Sequence, residues 1–190
     1  MDAAKQYASY EDILNAPDNV QAEILNGELH THPRPSPKHS RSITKLSAEL
    51  SGPFDKGSGG PGGWIFLVEP ELWLSSEAGS RGNYLVPDIA GWKRERFVHD
   101  ESKNGIEVPP DWVCEVLSPG TMVHDRVRKM PIYSSFSIPF IWLVDPAAKL
   151  LEAFELSDSK WSLIGSFAGK DKVKALPFEA FEFDLAALWL

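Results

Sequence analysis

Two carboxylates, Asp88 and Glu115, lie in stretches of the sequence that otherwise have the composition of buried β-strands, Tyr84–Trp92 and Trp112–Leu117. Moving a carboxylate into an apolar interior costs roughly several kcal/mol unless a cation, a metal ion or hydrogen bonds compensate its charge. The first question that the sequence raises is therefore what compensates these two side chains.

A hard divalent cation is one answer. Mg²⁺, or Mn²⁺ in its place, takes oxygen ligands, keeps several waters and typically needs one or two protein carboxylates together with a substrate phosphate. Held by Asp88 and Glu115, such an ion would neutralise the site, admit a phosphodiester and lower the pKa of a bound water. The pattern is typical of metal-assisted hydrolysis of a phosphoester.

Each carboxylate also has a simpler interpretation. Pro87-Asp88 is a common turn dipeptide. Because alternate residues of a strand share a face, Glu115 points the same way as Val113 and Leu117, on a face that is otherwise apolar. A structural ion pair therefore stays open as an alternative to a metal ligand for Glu115.

Three further polar residues carry similar alternatives. Lys129 lies four residues after Asp125, so it either forms a surface ion pair with Asp125 on a helix or extends its side chain to the same acidic site. His39, in the first turn of a predicted helix, is either solvated or a ligand. Glu23 is either an exposed strand residue beside a turn or an additional acidic group of the site.

The composition favours a soluble globular protein, since 43% of the 190 residues are hydrophobic and 24% are charged. We expect one domain over residues 1–190. The net charge of −8 argues against a large sequence-independent contact with nucleic acid, so phosphate contacts would come from basic clusters such as Lys38-Arg41-Lys45. Cys114 is the single cysteine, which excludes an internal disulfide and a cysteine-based zinc cluster.

Targeting signals and membrane spans are not expected from the sequence. The N-terminus has no apolar stretch typical of a secretory signal, and the apolar runs are too short to span a bilayer. The expected location is the cytoplasm.

The elements that must position the acidic residues begin with a short helix near Tyr10 to Asn15. Asn26-Gly27 predicts a tight hairpin that places Glu23 on its first strand. Ser36-Pro37 predicts the start of a helix, in which Ile43, Leu46 and Leu50 recur at helical spacing.

The rest of the chain alternates strands with one helix. Predicted strands cover Trp64–Glu69, Glu71–Leu74, Tyr84–Trp92 and Trp112–Leu117, with a polar turn at Ser75–Asn83. A helix is predicted over Thr121–Phe136, where Pro131 requires either a start near Arg128 or a kink. A buried strand, Phe140–Asp145, a C-terminal β-meander and an apolar tail follow. This order predicts an α/β fold with a mixed central sheet flanked by helices.

Several motifs together resemble one known family. They are Pro87-Asp88, Glu115-Val116-Leu117-Ser118-Pro119, Asp125, Lys129, Pro131, Tyr133, Ile138-Pro139 and Trp142-Leu143-Val144-Asp145, with Glu23 to Leu29 and Pro35 to His39 upstream. They look like the Uma-type restriction endonuclease family, a bacterial family of the PD-(D/E)XK nuclease superfamily. The resemblance extends from about Tyr10 to Trp189.

The resemblance implies a restriction-endonuclease-like core and an endonuclease that hydrolyses DNA with Mg²⁺. It implies Asp88 and Glu115 as metal ligands, and Glu23 as an additional acidic residue of the site. The superfamily pattern has a lysine two residues after the glutamate, where this sequence has Leu117. The family shares this departure, and Lys129 on the following helix is then the relocated catalytic lysine. By analogy, enzymes of this kind pair two sites, which implies a homodimer.

Two other functions fit the same residues. A nuclease fold without the usual lysine also suits a catalytically inactive protein used for binding or assembly. A metal-dependent hydrolase of a smaller phosphoester is the third hypothesis.

Overall fold

The structure is a computed structural model that describes residues 7–75 and 82–189. The predicted polar turn at Ser75–Asn83 lies mostly outside the described residues. In chain order the elements are α1 (Tyr10–Leu14), β1 (Val20–Leu25), β2 (Glu28–Pro33), α2 (Pro37–Leu50), β3 (Trp64–Val68), β4 (Leu72–Leu74), β5 (Asn83–Leu85), β6 (Ile89–Lys93), β7 (Trp112–Val116), α3 (Met122–His124), α4 (Met130–Ser135), β8 (Phe140–Asp145), β9 (Leu150–Ser157), β10 (Lys160–Ala168), β11 (Lys172–Val173) and β12 (Phe183–Asp184).

A six-stranded mixed sheet lies at the centre, with the strand order β10-β9-β8-β7-β6-β3. Its β7–β8 pair is parallel, with Glu115 opposite Leu143, and the other pairs are antiparallel. The predicted mixed central sheet is confirmed. Two strands of the predicted C-terminal meander, β9 and β10, pair with each other and extend the central sheet beyond β8. The third, predicted over residues 173–176, is instead β11, which pairs with β12 in a separate two-stranded sheet.

A second sheet has the order β2-β1-β5-β4 and contains the predicted hairpin. Asn26 and Gly27 form its two-residue turn with φ values of 52° and 80°, as the Asn-Gly signal requires. The stretch Tyr84–Trp92 was predicted as one interrupted strand, but β5 belongs to this sheet and β6 to the central one. Pro87 lies in the crossover between the two sheets and outside both strands. Its missing N–H therefore costs neither sheet a hydrogen bond.

Helix α2 covers one face of the central sheet. The Ser36 hydroxyl accepts a hydrogen bond from His39 N, and Ile43, Leu46 and Leu50 are buried as predicted. The helix continues after Leu50 as a π-helical turn, Ser51–Asp55. The core on this face also holds Trp112, Cys114 and Val116 of β7, Trp142 of β8 and the apolar tail around Leu185.

The helical segment after β7 covers the opposite face. It starts at Met122, passes through a π-helical turn at Asp125–Lys129 and ends at Ser135. The wide turn ends two residues before Pro131, which has no N–H to give to a regular helix. Because the helical segment begins at Met122, the predicted alternative start near Arg128 is wrong. Within the described residues, no helix is long and apolar enough to cross a membrane.

Candidate functional site

A cavity of about 250 Å³ opens between the hairpin, the end of β7 and the helical segment that follows it. Glu23, Asp88, Glu115 and Lys129, the four residues singled out by the sequence, all line it. Asp125 lines it as well. Residues up to 106 positions apart in the chain thus meet at one place because two sheets converge there.

The register of the central sheet brings Asp88 next to Glu115. Ile89 lies opposite Cys114 in the antiparallel β6–β7 pair, so Asp88 and Glu115 come one register step further along. Asp88 is anchored by Val116 N, which donates to its Oδ2 at 2.6 Å. Both carboxylates are buried, and the turn interpretation of Pro87-Asp88 does not account for this anchoring.

Glu23 reaches the site from β1 of the second sheet. Its side chain is only 2% exposed, so it is not the exposed strand residue that the sequence allowed. Val86 N, in the crossover between the sheets, donates to Glu23 Oε1 at 2.7 Å. The crossover therefore connects Glu23 to the strand that precedes Asp88.

Lys129 lies between two glutamates and is 3% exposed. Its Nζ is 2.8 Å from Glu115 Oε1 and 3.1 Å from Glu23 Oε1, and it donates to Val86 O at 3.1 Å. Burial acts to lower the pKa of Lys129, but Glu115 and Glu23 outweigh it and hold the pKa well above its ordinary value. Lys129 is therefore a buried cation that keeps its proton, not a surface ion pair.

One lysine cannot compensate both glutamates. Burial acts to raise the pKa of Glu23, yet Lys129, His124 and the Val86 N–H lower it to about 2. Burial raises the pKa of Glu115 well above its ordinary value, and the charges of Asp125 and other nearby carboxylates add to this rise. Lys129 acts in the opposite direction but does not outweigh them. The charge of Lys129 therefore compensates Glu23, and Glu115 is left without enough positive charge nearby.

Asp125 adds a further carboxylate to the cavity, and burial raises its pKa. Four carboxylates and one buried lysine thus line the cavity, counted over the described residues. A cation placed among them would supply the missing positive charge.

The residues fit a hard cation of the Mg²⁺ class. The hydrogen bonds formed by described residues use Oδ2 of Asp88 and Oε1 of Glu115, which leaves a second oxygen on each carboxylate. Mg²⁺ requires oxygen donors and room for several waters, each of which takes about 30 Å³ of liquid volume. The cavity of about 250 Å³ has that room.

His39 belongs to the site, although the sequence left it open. Its Nε2 lies 3.3 Å from Asp88 Oδ2. Burial acts to lower the pKa of His39, but the hydrogen bond and charge of Asp88 outweigh it and raise the pKa. The Ser36 cap fixes the first turn of α2 and so positions this histidine.

The histidines His32 and His124 were missed by the sequence reasoning. His32 lines the cavity beside Glu23, and His124 lies 3.4 Å from Glu23 Oε2 through its Nε2. The spacing His30-Thr31-His32 on one strand was an available signal, since alternate residues of a strand share a face.

Tyr133, on α4, offers a test of how well the buried acid is supported. It is fully buried, and its hydroxyl donates to Glu115 Oε1. We expect Tyr133→Phe to lower the free energy of unfolding by about 1–3 kcal/mol, because the buried Glu115 carboxyl loses one of its hydrogen-bond donors. Urea unfolding measures this, with Tyr10→Phe as the control, since its hydrogen bond to Glu71 is only partly buried. A loss no greater than that of the control would contradict the expectation.

Comparisons with known proteins agree with this geometry at the level of the fold. A family model described as "Uma2: Putative restriction endonuclease" matches residues 5–187. A crystal structure of "a putative nuclease belonging to DUF820" from Anabaena variabilis ATCC 29413 superposes with a TM-score of 0.73 at 18% sequence identity, over 95% of this chain and 97% of that one. No curated protein matches the chain. At this identity, the structural likeness shows the fold alone.

Proposed function

Because the chain belongs to the Uma2 family, whose description is "Putative restriction endonuclease", we propose that it is a divalent-metal-dependent endonuclease that hydrolyses DNA. The observation that carries the proposal is the meeting of Asp88 and Glu115 in one cavity beside the buried cation Lys129. A nuclease fold alone would not carry it, because related folds serve several functions.

Asp88 and Glu115 would hold the ion, Mg²⁺ or Mn²⁺, through the carboxylate oxygens that their hydrogen bonds leave free. When bound, such an ion supplies Lewis acidity and a bound water of lowered pKa. Val116 N and the hydroxyl of Tyr133 hold the two carboxyl groups in place, so that their oxygens are preorganised for a cation.

Lys129 would act through its charge. Because its pKa is held well above the ordinary value, it does not serve as a base that removes a proton from water. It can instead donate hydrogen bonds to the attacking water or to a phosphate oxygen as negative charge develops there. Glu23 would position Lys129 by holding Nζ at 3.1 Å.

The DNA contact would come from local basic residues, since the chain has a net charge of −8. Arg34 lines the cavity, and Lys38, Arg41 and Lys45 follow on α2. In the proposed complex, these side chains would contact phosphates on either side of the bond that is cut.

The proposal includes a homodimer and a cytoplasmic location. A double-stranded cut needs two active sites, and a two-fold pair of chains supplies them with one interface.

We expect the protein to nick or cut plasmid DNA with Mg²⁺ or Mn²⁺ and to stop when the metal is chelated by EDTA, because the acidic cavity needs the ion to admit a phosphodiester. Gel electrophoresis follows the conversion, and end-labelling should show 5′-phosphate and 3′-hydroxyl termini. A panel of nucleotides and small phosphodiesters, tested in parallel, separates a polymer substrate from a small phosphoester. Undiminished cutting in EDTA, or no cutting with either metal, would overturn the proposal.

A non-cleaving binding protein is the second candidate. Two observations favour it: Leu117 stands where the superfamily pattern has a lysine, and both glutamates form short ion pairs with Lys129. In that case, the charge of Lys129 alone neutralises the acidic residues, and no metal ion is needed. Calorimetric titration with Mn²⁺ discriminates the two: binding that is lost in Glu115→Ala supports the nuclease, and absence of binding supports the second candidate.

A further inference from the structure

A second group of potential metal ligands lies on the far side of Glu23 from Lys129. Glu23 and His30 are directly paired across the β1–β2 hairpin, and His32 is two residues further along β2. His124, from α3, packs against both imidazoles, with ring centroids 5.1 Å from His30 and 4.3 Å from His32. The hairpin and the helical segment thus bring three histidines and one glutamate together.

One ring nitrogen of each of these three histidines lacks a hydrogen-bond partner among the described residues. Nε2 of His30, His32 and His124 are each inaccessible to solvent and make no hydrogen bond with any residue in the described ranges. His124 as a whole is only 8% exposed. Buried polar atoms in native proteins nearly always have a partner, so three orphaned imidazole nitrogens at one place need an explanation.

The distances suit a shared ion. The ligand atoms of Glu23, His32 and His124 all lie within 4.8 Å of one another, and Glu23 Oε2 is 3.4 Å from His124 Nε2 and 4.0 Å from His32 Nε2. Bonds of about 2.0–2.2 Å to a metal place neighbouring ligand atoms roughly 3–4 Å apart, so small side-chain shifts close the site.

We propose that Glu23, His32 and His124 form a site for a divalent transition-metal ion of the Zn²⁺ class. Imidazole nitrogens with one carboxylate favour such borderline ions over Mg²⁺, which prefers an all-oxygen set. Three protein ligands leave a position open for water, as in sites that are not purely structural. This site differs from the Asp88 and Glu115 site, where the proposed ligands are carboxylate oxygens.

The two sites share Glu23 but use different oxygens. Oε1 accepts from Val86 N and contacts Lys129, while Oε2 faces the histidines. An ion on Oε2 would fix Glu23 while leaving the contacts of Oε1 in place. The Zn²⁺-class site would also connect the hairpin to α3, two elements that border the cavity.

Calorimetric titration of Zn²⁺ into the untagged chain tests the proposal. We expect one Zn²⁺ per chain, and at least about tenfold weaker binding in His124→Gln and in His32→Gln. Losing a residue that only hydrogen-bonds to a metal ligand already weakens metal affinity about 10- to 100-fold, and losing the ligand itself costs at least as much. His99→Gln, an exposed histidine of a loop, is the matched control and should bind Zn²⁺ like the wild type. Circular dichroism verifies that each variant is folded, and His32 is the more exposed of the two ligands should His124→Gln unfold.

Three results would overturn the proposal: no binding of Zn²⁺ by the wild type, equal affinity in both histidine variants, or binding that is lost in Asp88→Asn but kept in His124→Gln. The last result would place the ion in the acidic pocket. Because the readout is Zn²⁺ binding, the outcome does not depend on whether the protein cuts DNA.

Discussion

Asp88→Asn and Glu115→Gln are each expected to reduce the rate of DNA cleavage by at least about two orders of magnitude. Each weakens the hold on a metal ion that would supply several kcal/mol of charge stabilisation, and about 1.4 kcal/mol is tenfold in rate. Both substitutions remove charge and keep shape. The asparagine can still accept from Val116 N, and the glutamine can still accept from Tyr133. We therefore expect little change in the free energy of unfolding.

The matched control is Asp145→Asn. Asp145 ends β8 outside the cavity and accepts from Ala147 N and Ala148 N at 2.8 and 2.9 Å, so it is a turn carboxylate. Cleavage rates are measured on plasmid DNA with saturating Mg²⁺, and urea unfolding verifies the fold. Full activity of Asp88→Asn or Glu115→Gln would show that the substituted residue does not take part in cleavage. Equal residual cutting by all preparations would indicate a contaminating nuclease.

Lys129→Met is expected to have the largest effect on stability. The substitution leaves Glu23 and Glu115 without the cation that lies 3.1 and 2.8 Å from them. Removing one partner of a buried ion pair costs about 3–5 kcal/mol, because the remaining charge stays buried. Cleavage should be lost as well, since the positive charge next to the reacting phosphate disappears. The measurement is the free energy of unfolding in urea, together with the cleavage rate.

A double-mutant cycle gives this expectation its control. Lys129→Met with Glu23→Gln removes both partners of the Glu23–Lys129 pair and leaves only Glu115 without the cation, so we expect it to recover part of the lost stability while cleavage stays absent. Lys103→Met, which removes an exposed ion pair with Glu107, should change the stability by less than about 1 kcal/mol. A free energy of unfolding for Lys129→Met close to that of Lys103→Met would mean that the buried pair does not stabilise the fold.

The sequence was informative where local chemistry is decisive. A carboxylate in an apolar strand needs a partner wherever the strand lies, so Asp88 and Glu115 could be selected without a structure. The hairpin at Asn26-Gly27 and the cap at Ser36 follow from backbone preferences of single residues. The central sheet and its meander follow from short apolar segments between turns.

The rest depended on contacts between distant segments. The surroundings of Glu23 are set by the crossover at Val86, where one predicted strand divides between two sheets. The position of Lys129 depends on the π-helical turn before Pro131, which aims its side chain inward. His124 meets the hairpin histidines only through tertiary packing, so no local pattern identified it.

In the proposed site, Asp88 and Glu115 together hold a divalent cation. A crystal structure of the chain soaked in Mn²⁺ tests it most directly, with anomalous scattering used to locate the ion. We expect a peak within coordination distance of both carboxylates, and no such peak in crystals of Glu115→Gln. No Mn²⁺ next to Asp88 and Glu115, or a peak only at Glu23, His32 and His124, would contradict the claim.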